Sequence, residues 1–509
     1  MNSQSQAFPP GYGWVALTVA VVAALIMSAV AVVPNFGERV VAVNGPSGSA
    51  NGGTSTTQGG PASGTTNGTT GTSGTSGTSG GAATSGGLAG GAATSGGLAG
   101  GSGPGSPQGF QCAPGRNGGA TDAGISATEI HVASTIVTSG PGAGFLGEAA
   151  DGMQAAINQV NNAGGICGRR VTITTINDGW NGPTGAGYIN NFIQSKQVFA
   201  LVGEPDSEGL DAAKKNGSID NAGIPVVGTD GMLKSQYQDS WIWPVAASTV
   251  TNMHIIAKHA HDNGAKKFGI VYDSLYKFGL EGAAAFKAEV GRVGGQAPGT
   301  GCAQGFCGIS PDQTDYSTSI QQFNSYCAAC DAVVLLLEPQ PAETWMRAEA
   351  NVATSSWAKT LYGGEPLFDD QVGAACGDPC NHMIVWTGYK PAIQPFDDGA
   401  VATYCQALRS VRPQDDCHNE FTEGAYIGTQ LFIKAALLAG PNLTRANLKQ
   451  ALDTMTFQSG MASDMHWGSN HLANLTMAAF GDNFSGSFNG WNYLQSGFLP
   501  DPAPGSDMQ

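Results

Sequence analysis

Two short stretches of the sequence contain residue types that can perform redox or metal chemistry. Cys327 and Cys330 form a C-x-x-C motif, but a thioredoxin-like redox motif needs a strand before it and a helix that begins at its first cysteine. Here the motif follows a predicted helix and precedes a predicted strand, which favours a structural disulfide. His254, His259 and His261 lie close together in HIIAKHAH, without the H-E-x-x-H spacing of a zinc site. We therefore predict no metal site.

The sequence also lacks the common motifs of enzymes. It contains neither a G-x-S-x-G nucleophile turn nor a Walker A phosphate loop. No nucleophile is paired with a general base. We predict that the protein is not an enzyme, that it has no catalytic residues and that it needs no cofactor.

The ten cysteines favour disulfides. Eight of them form close pairs, and close pairs in an exported chain are typical of short disulfide loops. The other two would join the start of the folded domain to the loop after its first helix. The alternative is buried free thiols, as in a cytosolic protein, which the export segment described below disfavours. The predicted pairs are Cys302 with Cys307, Cys327 with Cys330, Cys376 with Cys380, Cys405 with Cys417, and Cys112 with Cys167.

Composition limits the partners and the number of lobes. Charged residues make up 12% of the chain and the formal net charge is −16, against roughly 25% charged residues in a typical soluble domain. Because no basic stripe is present, we predict no nucleic-acid binding. Much of the glycine lies before residue 110. The remainder, about 400 residues, exceeds one ordinary core, so we expect two lobes.

The N-terminal part is predicted to be an anchor and a tether. Residues 14–33 are predominantly apolar and uncharged, and this length is enough to span a bilayer. Residues 1–13 lack the Lys or Arg of a signal peptide. We expect an uncleaved transmembrane segment at 14–34 with the rest of the chain outside the cell membrane; the alternative is cleavage and secretion. Residues 35–110 are rich in Gly, Ser and Thr, which predicts a flexible linker.

From about residue 125 the sequence alternates between predicted strands and helices. Apolar residues at helical spacing predict a helix over 146–160 that stops at Ala-Gly-Gly, where glycine supplies the left-handed cap. Continuous apolar strands that alternate with helices are typical of parallel sheets covered on both faces. Ligands of such folds bind at the carboxyl ends of the strands. Strands are predicted at 130–137, 171–178, 198–203, 224–231, 268–273, 331–338 and 382–388.

Several stretches occur in a distinctive order, namely INQVNNAGGICGRRVTITTIND, FALVGEPDSEG, GIPVVGTDG, NGAKKFGIVYDSLYKFGLEG and EGAYIGTQLFIKAALLAG. In this order they resemble the type I periplasmic binding proteins, in the branched-chain amino-acid (Leu/Ile/Val-binding) family of ABC transporter solute-binding proteins. The resemblance implies an α/β fold with two discontinuous, doubly wound parallel-sheet lobes joined by a hinge. Lobe 1 would comprise 111–244 and 388–458, and lobe 2 would comprise 245–387 and 459–500, followed by a tail at 501–509.

The resemblance also implies ligand-binding residues. In amino-acid-binding members, hydroxyl and backbone N–H groups of lobe 1 hold the ligand carboxylate, and Ser207, Gly228 and Thr229 occupy the matching loops. Such groups suit an anion without a buried countercharge. The alternative is that the serine caps a helix and the threonine belongs to a turn. In lobe 2 the family uses an aromatic ring, for which Tyr276 is the candidate and Phe278 the alternative.

Acidic residues bear on the identity of the ligand. Glu365 lies where the family places the acidic partner of a ligand ammonium group; the alternative is a surface loop residue. Glu204, Asp206 and Glu208 depart from the family pattern, which often has small residues there. They point to solvent, or else the ligand is an amide, a polyol, an amine or a metal-bearing compound instead of a simple amino acid.

The resulting functional prediction is an extracytoplasmic solute-binding protein. It would capture a small polar solute, an amino acid or an amide-like compound, in a cleft between the lobes and deliver it to the permease subunits of an ABC transporter. The alternative is a ligand-sensing or cell-envelope interaction module on the same fold, without transport.

Overall fold

The computed structural model describes residues 116–352, 358–370, 372, 383–468, 471–482 and 490–509. Its strands are β1 Glu129–Ile136, β2 Arg170–Asn177, β3 Leu201–Val202, β4 Val226–Thr229, β5 Ile242–Pro244, β6 Phe268–Asp273, β7 Phe306–Ile309, β8 Cys330–Leu336, β9 Ala358–Gly363, β10 Ile384–Thr387, β11 Thr476–Asp482, β12 Trp491–Tyr493 and β13 Leu499–Pro500. Its helices are α1 Ala143–Leu146, α2 Ala149–Asn162, α3 Gly182–Ser195, α4 Ser207–Lys215, α5 Ser218–Ala222, α6 Lys234–Tyr237, α7 Thr249–Asp262, α8 Lys277–Arg292, α9 Ser317–Cys327, α10 Pro339–Val352, α11 Gly399–Val411, α12 Glu420–Ala439 and α13 Arg445–Thr454.

The first sheet has five parallel strands in the order β2-β1-β3-β4-β5. Successive side chains of a strand face opposite sides of the sheet, so Val226 and Val227 belong to different hydrophobic clusters. Helices α3, α4 and α5 cover the Val226 face, and α2, α11, α12 and α13 cover the Val227 face. We call this sheet with its helices the first lobe.

The second sheet has the order β12-β11-β10-β9-β8-β6-β7, and β13 pairs with β11. Strands β6 to β10 are parallel, whereas β11, β12 and β13 pair in antiparallel fashion. Helices α7 and α8 pack on one face and α9 and α10 on the other. We call this sheet with its helices the second lobe. The chain leaves the first lobe after β5, returns after β10 for α11 to α13, and leaves again before β11.

The predicted glycine termination of the first long helix is confirmed. Helix α2 ends at Asn162, and the N–H of Gly165 donates to the carbonyl of Val160 at 2.8 Å. Gly164 and Gly165 have φ angles of 100° and 74°, a left-handed region that glycine enters without steric cost. This turn directs the chain into β2.

The cysteines form some of the predicted bonds. The disulfides Cys302–Cys307 and Cys327–Cys330 are present. Cys167 is also disulfide-bonded; its predicted partner Cys112 lies outside the described residues, as do Cys376 and Cys380.

The predicted disulfide between Cys405 and Cys417 is wrong, because both cysteines are buried free thiols. The Cys417 thiol donates to the carbonyl oxygen of Asp415 at 3.9 Å. Cys417, with φ 69°, is held in a turn through its N–H, which donates to Asp415 Oδ1 at 2.7 Å.

The C-terminal residues predicted as a tail, 501–509, pack against the second lobe. Asp501 accepts hydrogen bonds from Thr251 and His254 at 3.0 and 2.9 Å, and His254 also contacts Asp507 at 3.0 Å. His259 contacts the Tyr362 hydroxyl at 3.2 Å. These two histidines therefore have structural partners within their own lobe.

The predicted membrane segment at 14–34 and linker at 35–110 lie outside the described residues. Among the residues that the structure describes, no helix combines the length and the apolar character needed to cross a bilayer.

Candidate functional site

The topology of the first sheet predicts where a ligand would bind. Its strand order 2-1-3-4-5 has a switch point between β1 and β3, because the chain continues to opposite sides from there. Ligands of doubly wound folds bind beyond the carboxyl ends of strands at such a point. The loops that begin at Gly203 after β3 and at Asp230 after β4 lie at this edge. The N–H of Asp230 donates to the carbonyl of Glu204 at 3.1 Å, which joins the two loops.

A cavity that is partly open to solvent lies at this edge and faces the second lobe. The first lobe contributes loops after its strands and the first turns of α12, and the second lobe contributes Glu365, which follows β9. The described residues that line the cavity are Gly203, Glu204, Pro205, Gly228, Asp230, Ala246, Glu365, Tyr389, Glu420, Phe421, Gly424 and Ala425. Four of these twelve are carboxylates and none is Lys, Arg or His.

Glu204 forms the inner wall of the cavity and is fully buried. Its Oε2 accepts from the N–H of Thr135 at 3.0 Å and from the Ser134 hydroxyl at 3.4 Å, and its Oε1 accepts from the Thr135 hydroxyl. Burial, followed by the nearby charge of Asp206, holds the pKa of Glu204 well above its usual range. These bonds fix the carboxyl group at the end of β1.

Asp230 and Glu365 face each other across the lobes. Asp230 Oδ1 accepts from Gln236 Nε2 at 2.7 Å, and Asp230 Oδ2 has no hydrogen-bond partner among the described residues. Glu365 Oε1 accepts from the N–H of Gly388 at 3.4 Å, and the N–H of Glu365 donates to Asn252 at 3.3 Å. Burial raises the pKa of Asp230 to about 8. Burial and the charge of Asp230 raise the pKa of Glu365 to about 8.

Glu420 is the first residue of α12 and is only 3% exposed. Neither of its carboxyl oxygens has a hydrogen bond of regular geometry among the described residues, although the Thr387 hydroxyl lies nearby. Burial and then the charge of Glu365 raise the pKa of Glu420 well above its usual value. The positive end of the helix dipole favours a negative charge at this position, so the site can hold an ionised carboxylate when a countercharge is present.

Of the predicted ligand residues, Gly228 and Glu365 line the cavity. Gly228 has a φ of 79°, and a Cβ built on it would lie 2.0 Å from the Cα of Gly428 in α12. The absence of a side chain therefore lets α12 approach β4 closely. This approach brings Glu420, at the start of α12, to the cavity.

Ser207, Thr229 and Tyr276 are not among the cavity-lining residues. Ser207 is buried in the first turn of α4. The Thr229 hydroxyl donates to the Gln236 side chain behind the cavity. Tyr276 stacks on Trp180 of the first lobe with ring centroids 4.1 Å apart, and the alternative residue Phe278 is buried beside the same ring at 6.0 Å.

Two of the three acidic residues that depart from the family pattern do not point to solvent. Glu204 and Asp206 are fully buried, and Asp206 lies beside Asp178, with burial raising the pKa of both. Glu208 instead pairs with Lys277 of the second lobe at 3.3 Å. The carboxylates therefore belong to the interlobe region.

The mouth of the cleft is bridged by contacts between the lobes. Lys277 of α8 contacts Glu208 and Asp211 of α4, and its backbone N–H donates to Glu208 Oε1 at 2.9 Å. The Trp180–Tyr276 stack lies at the same boundary. These contacts correspond to a closed arrangement of the two lobes.

Sequence reasoning did not select Asp230, Glu420 or Tyr389, which also line the cavity. The signal for Asp230 was present, because it directly follows Thr229 at the end of a predicted strand. Glu420 and Tyr389 are distant in sequence from the predicted loops. They reach the cavity because α12 and β10 are brought there by the fold.

Two α/β lobes, a discontinuous chain and a cavity between the lobes define a two-lobed solute-binding protein of the type I class. The family model described as "Periplasmic binding protein" matches residues 129–481. The chain therefore belongs to the periplasmic binding protein family, whose members bind solutes and are not enzymes. A search of curated protein sequences finds no match.

Solved structures support the fold. A leucine binding protein from Thermotoga maritima has a TM-score of 0.59 and 15% identity, over 71% of this chain and 97% of that one. A fatty acid ABC transporter substrate-binding protein from Thermomonospora curvata has a TM-score of 0.62 and 16% identity, over 76% and 95%. A solute binding protein of an ABC transporter from R. palustris, in complex with benzoate, has a TM-score of 0.61 and 16% identity, over 74% and 98%. At these identities the likeness concerns the fold and not the solute.

Proposed function

We propose that the protein is an extracytoplasmic solute-binding protein that captures a small polar solute between its lobes for an ABC transporter. The observation that supports this most strongly is the cavity itself, because Asp230 of the first lobe and Glu365 of the second line the same space. A ligand held by both lobes is bound more tightly by the closed form than by the open form. It therefore shifts the population towards closure.

In this proposal the first lobe receives the solute and hinge closure completes the site. Glu204 and Asp230 lie on the first lobe, and Glu365 reaches the solute only when the second lobe closes. The Lys277 contacts with α4 then stabilise the closed form, which docks on the permease. No covalent chemistry is required. The apolar segment 14–33 would hold the protein at the membrane, and the linker would extend the binding domain away from it.

The test is a thermal-shift screen of the full chain, purified under oxidising conditions. The panel contains amino acids, amides, polyols, aromatic acids and amines. A ligand at about 100 times its Kd adds roughly 2.7 kcal/mol to the apparent stability. We expect at least one class to raise the unfolding temperature, and Glu365→Gln to reduce that shift.

The matched control is Asp397→Asn, which removes one exposed carboxylate outside the cavity. It should leave the ligand-induced shift unchanged. A panel that gives no shift with any class would count against solute capture and favour a sensing or envelope-interaction module.

A further inference from the structure

We propose that the solute is an organic cation with at least two ammonium groups, an aliphatic diamine or polyamine. This inference rests on the proposed function, because it concerns the same cavity. It replaces the amino acid or amide-like compound expected from the sequence.

The cavity is strongly acidic and supplies no countercharge of its own. Glu204, Asp230, Glu365 and Glu420 line it, and none of the twelve lining residues is cationic. Buried charges are normally paired, because removal from water is costly. A ligand with several positive charges would provide the missing partners.

Some other carboxylates near the boundary between the lobes are paired with lysine. Asp211 contacts Lys215 and Lys277, and Asp239 contacts Lys214 at 3.1 Å. No ion pair of this kind involves Glu420 or Asp230 among the described residues. Other buried carboxylates, such as those of Asp206 and Glu338, also have oxygens without a regular hydrogen bond among the described residues, but Glu420 and Asp230 line the cavity, where a ligand can reach them.

Glu420 gives the sharpest geometric indication. It is 3% exposed, it lines the cavity, and both of its carboxyl oxygens lack a regular hydrogen bond among the described residues. Asp230 Oδ2 is unpartnered as well. A primary ammonium group has three donors and no acceptor, and therefore matches acceptors that lack donors.

Two other ligand classes fit the lining less well. An α-amino acid would place its own carboxylate among four others, and like charges at close range repel. A bare metal ion would coordinate carboxylate oxygens and would leave the aromatic and apolar part of the lining without a partner. Tyr389, Phe421, Pro205 and Ala246 offer aromatic and apolar surface, which suits methylene groups and the face-on approach of a cation to a ring.

The raised pKa values of Asp230 and Glu365 agree with a cationic ligand. Burial raises the pKa of Asp230 to about 8, and burial with the charge of Asp230 does the same for Glu365. Both carboxyl groups therefore favour the protonated form at neutral pH, and a bound cation would displace these protons. Affinity for a cation should rise as pH increases towards about 8.

The experiment is isothermal titration calorimetry of the full chain with butane-1,4-diamine and spermidine. Butane-1,4-diol serves as the neutral isostere, leucine as the zwitterion and Ca²⁺ as the metal ion. We expect an amine to bind and the diol not to bind. Glu420→Gln should weaken amine binding roughly 10- to 100-fold, the loss of one hydrogen bond to a charged group. Asp397→Asn, the exposed charge control, should not weaken it.

The outcomes separate this inference from the proposed function. Binding of the diol, of leucine or of another uncharged or zwitterionic compound in place of the amines would overturn the cation assignment and leave solute capture intact. Binding of Ca²⁺ alone would also overturn it. If Glu420→Gln and Asp397→Asn weaken amine binding equally, the binding comes from the overall negative charge of the surface and the cation site in the cavity is overturned. No binding of any compound would count against both.

Discussion

The protonated cavity of the ligand-free protein leads to a specific pH dependence of stability. Glu365 has a pKa of about 8 in the folded state, raised by burial and then by the charge of Asp230. In the unfolded chain a glutamate titrates near 4.3. Between about pH 4.5 and about pH 8 the folded state therefore keeps a proton that the unfolded state has released. The contribution of Glu365 to the free energy of unfolding must fall as the pH rises through this window.

The magnitude follows from proton linkage. One proton held only by the folded state changes the free energy of unfolding by about 1.4 kcal/mol per pH unit. Glu365→Gln removes that proton, so its stability relative to the wild type should rise by up to about 1.4 kcal/mol per unit. The observed rise will be smaller than this limit, because removing Glu365 also lowers the pKa of its neighbours. The titratable groups that face it are Asp230, Glu420, Tyr237 and Tyr389.

The assay is urea unfolding of ligand-free wild type and Glu365→Gln at about pH 5.5, 6.5 and 7.5, with unchanged m-values as the criterion for comparing free energies. Asp397→Asn is the control and should give a curve parallel to the wild type. Parallel curves for Glu365→Gln would refute the reasoning, because they would mean that Glu365 is ionised in the empty cavity at all of these pH values.

Two further predictions concern packing and closure. Gly228→Ala should lower the free energy of unfolding by about 2–5 kcal/mol, the sum of left-handed backbone strain and overpacking against Gly428; urea unfolding measures this. Gly119 has a φ of 72°, and a Cβ added to it would meet open space. Gly119→Ala should therefore lower the free energy of unfolding only by the backbone strain of about 1–2 kcal/mol. Lys277→Met should weaken solute binding by about threefold to tenfold through loss of the interlobe ion pairs, as measured by calorimetry. Lys258→Met, which breaks a pair within α7, should leave affinity unchanged; equal effects of the two variants would contradict the closure role of Lys277.

Much of the fold could be predicted from sequence because its signals are local. The predicted strand at 268–273 coincides with β6, and the glycine pair after α2 terminates that helix by its own φ preference. The stretch predicted as a strand at 198–203 is only partly regular: β3 contains Leu201 and Val202 alone. The antiparallel strands β11 to β13 were not predicted, because their pairing depends on β10, which is far away in sequence.

The site was less predictable than the fold. Gly228 and Glu365, which line the cavity, were selected through the resemblance, since both lie at the carboxyl ends of strands whose order is fixed by the family. The burial of Asp230 and Glu420 has no local signal, because an acidic residue next to a loop normally faces solvent. The close contact between Gly228 and Gly428 lets α12 approach the end of β4, and that contact joins residues that are distant in the sequence.

The most direct test of the central claim compares wild type with the Asp230→Asn/Glu365→Gln double variant. Both are titrated by calorimetry with the compound that gives the largest thermal shift in the screen. If the interlobe cavity is the binding site, the double variant loses one contact from each lobe, and its affinity should fall by about 100-fold or more. An affinity within about threefold of the wild type would show that the solute binds elsewhere and would contradict the account.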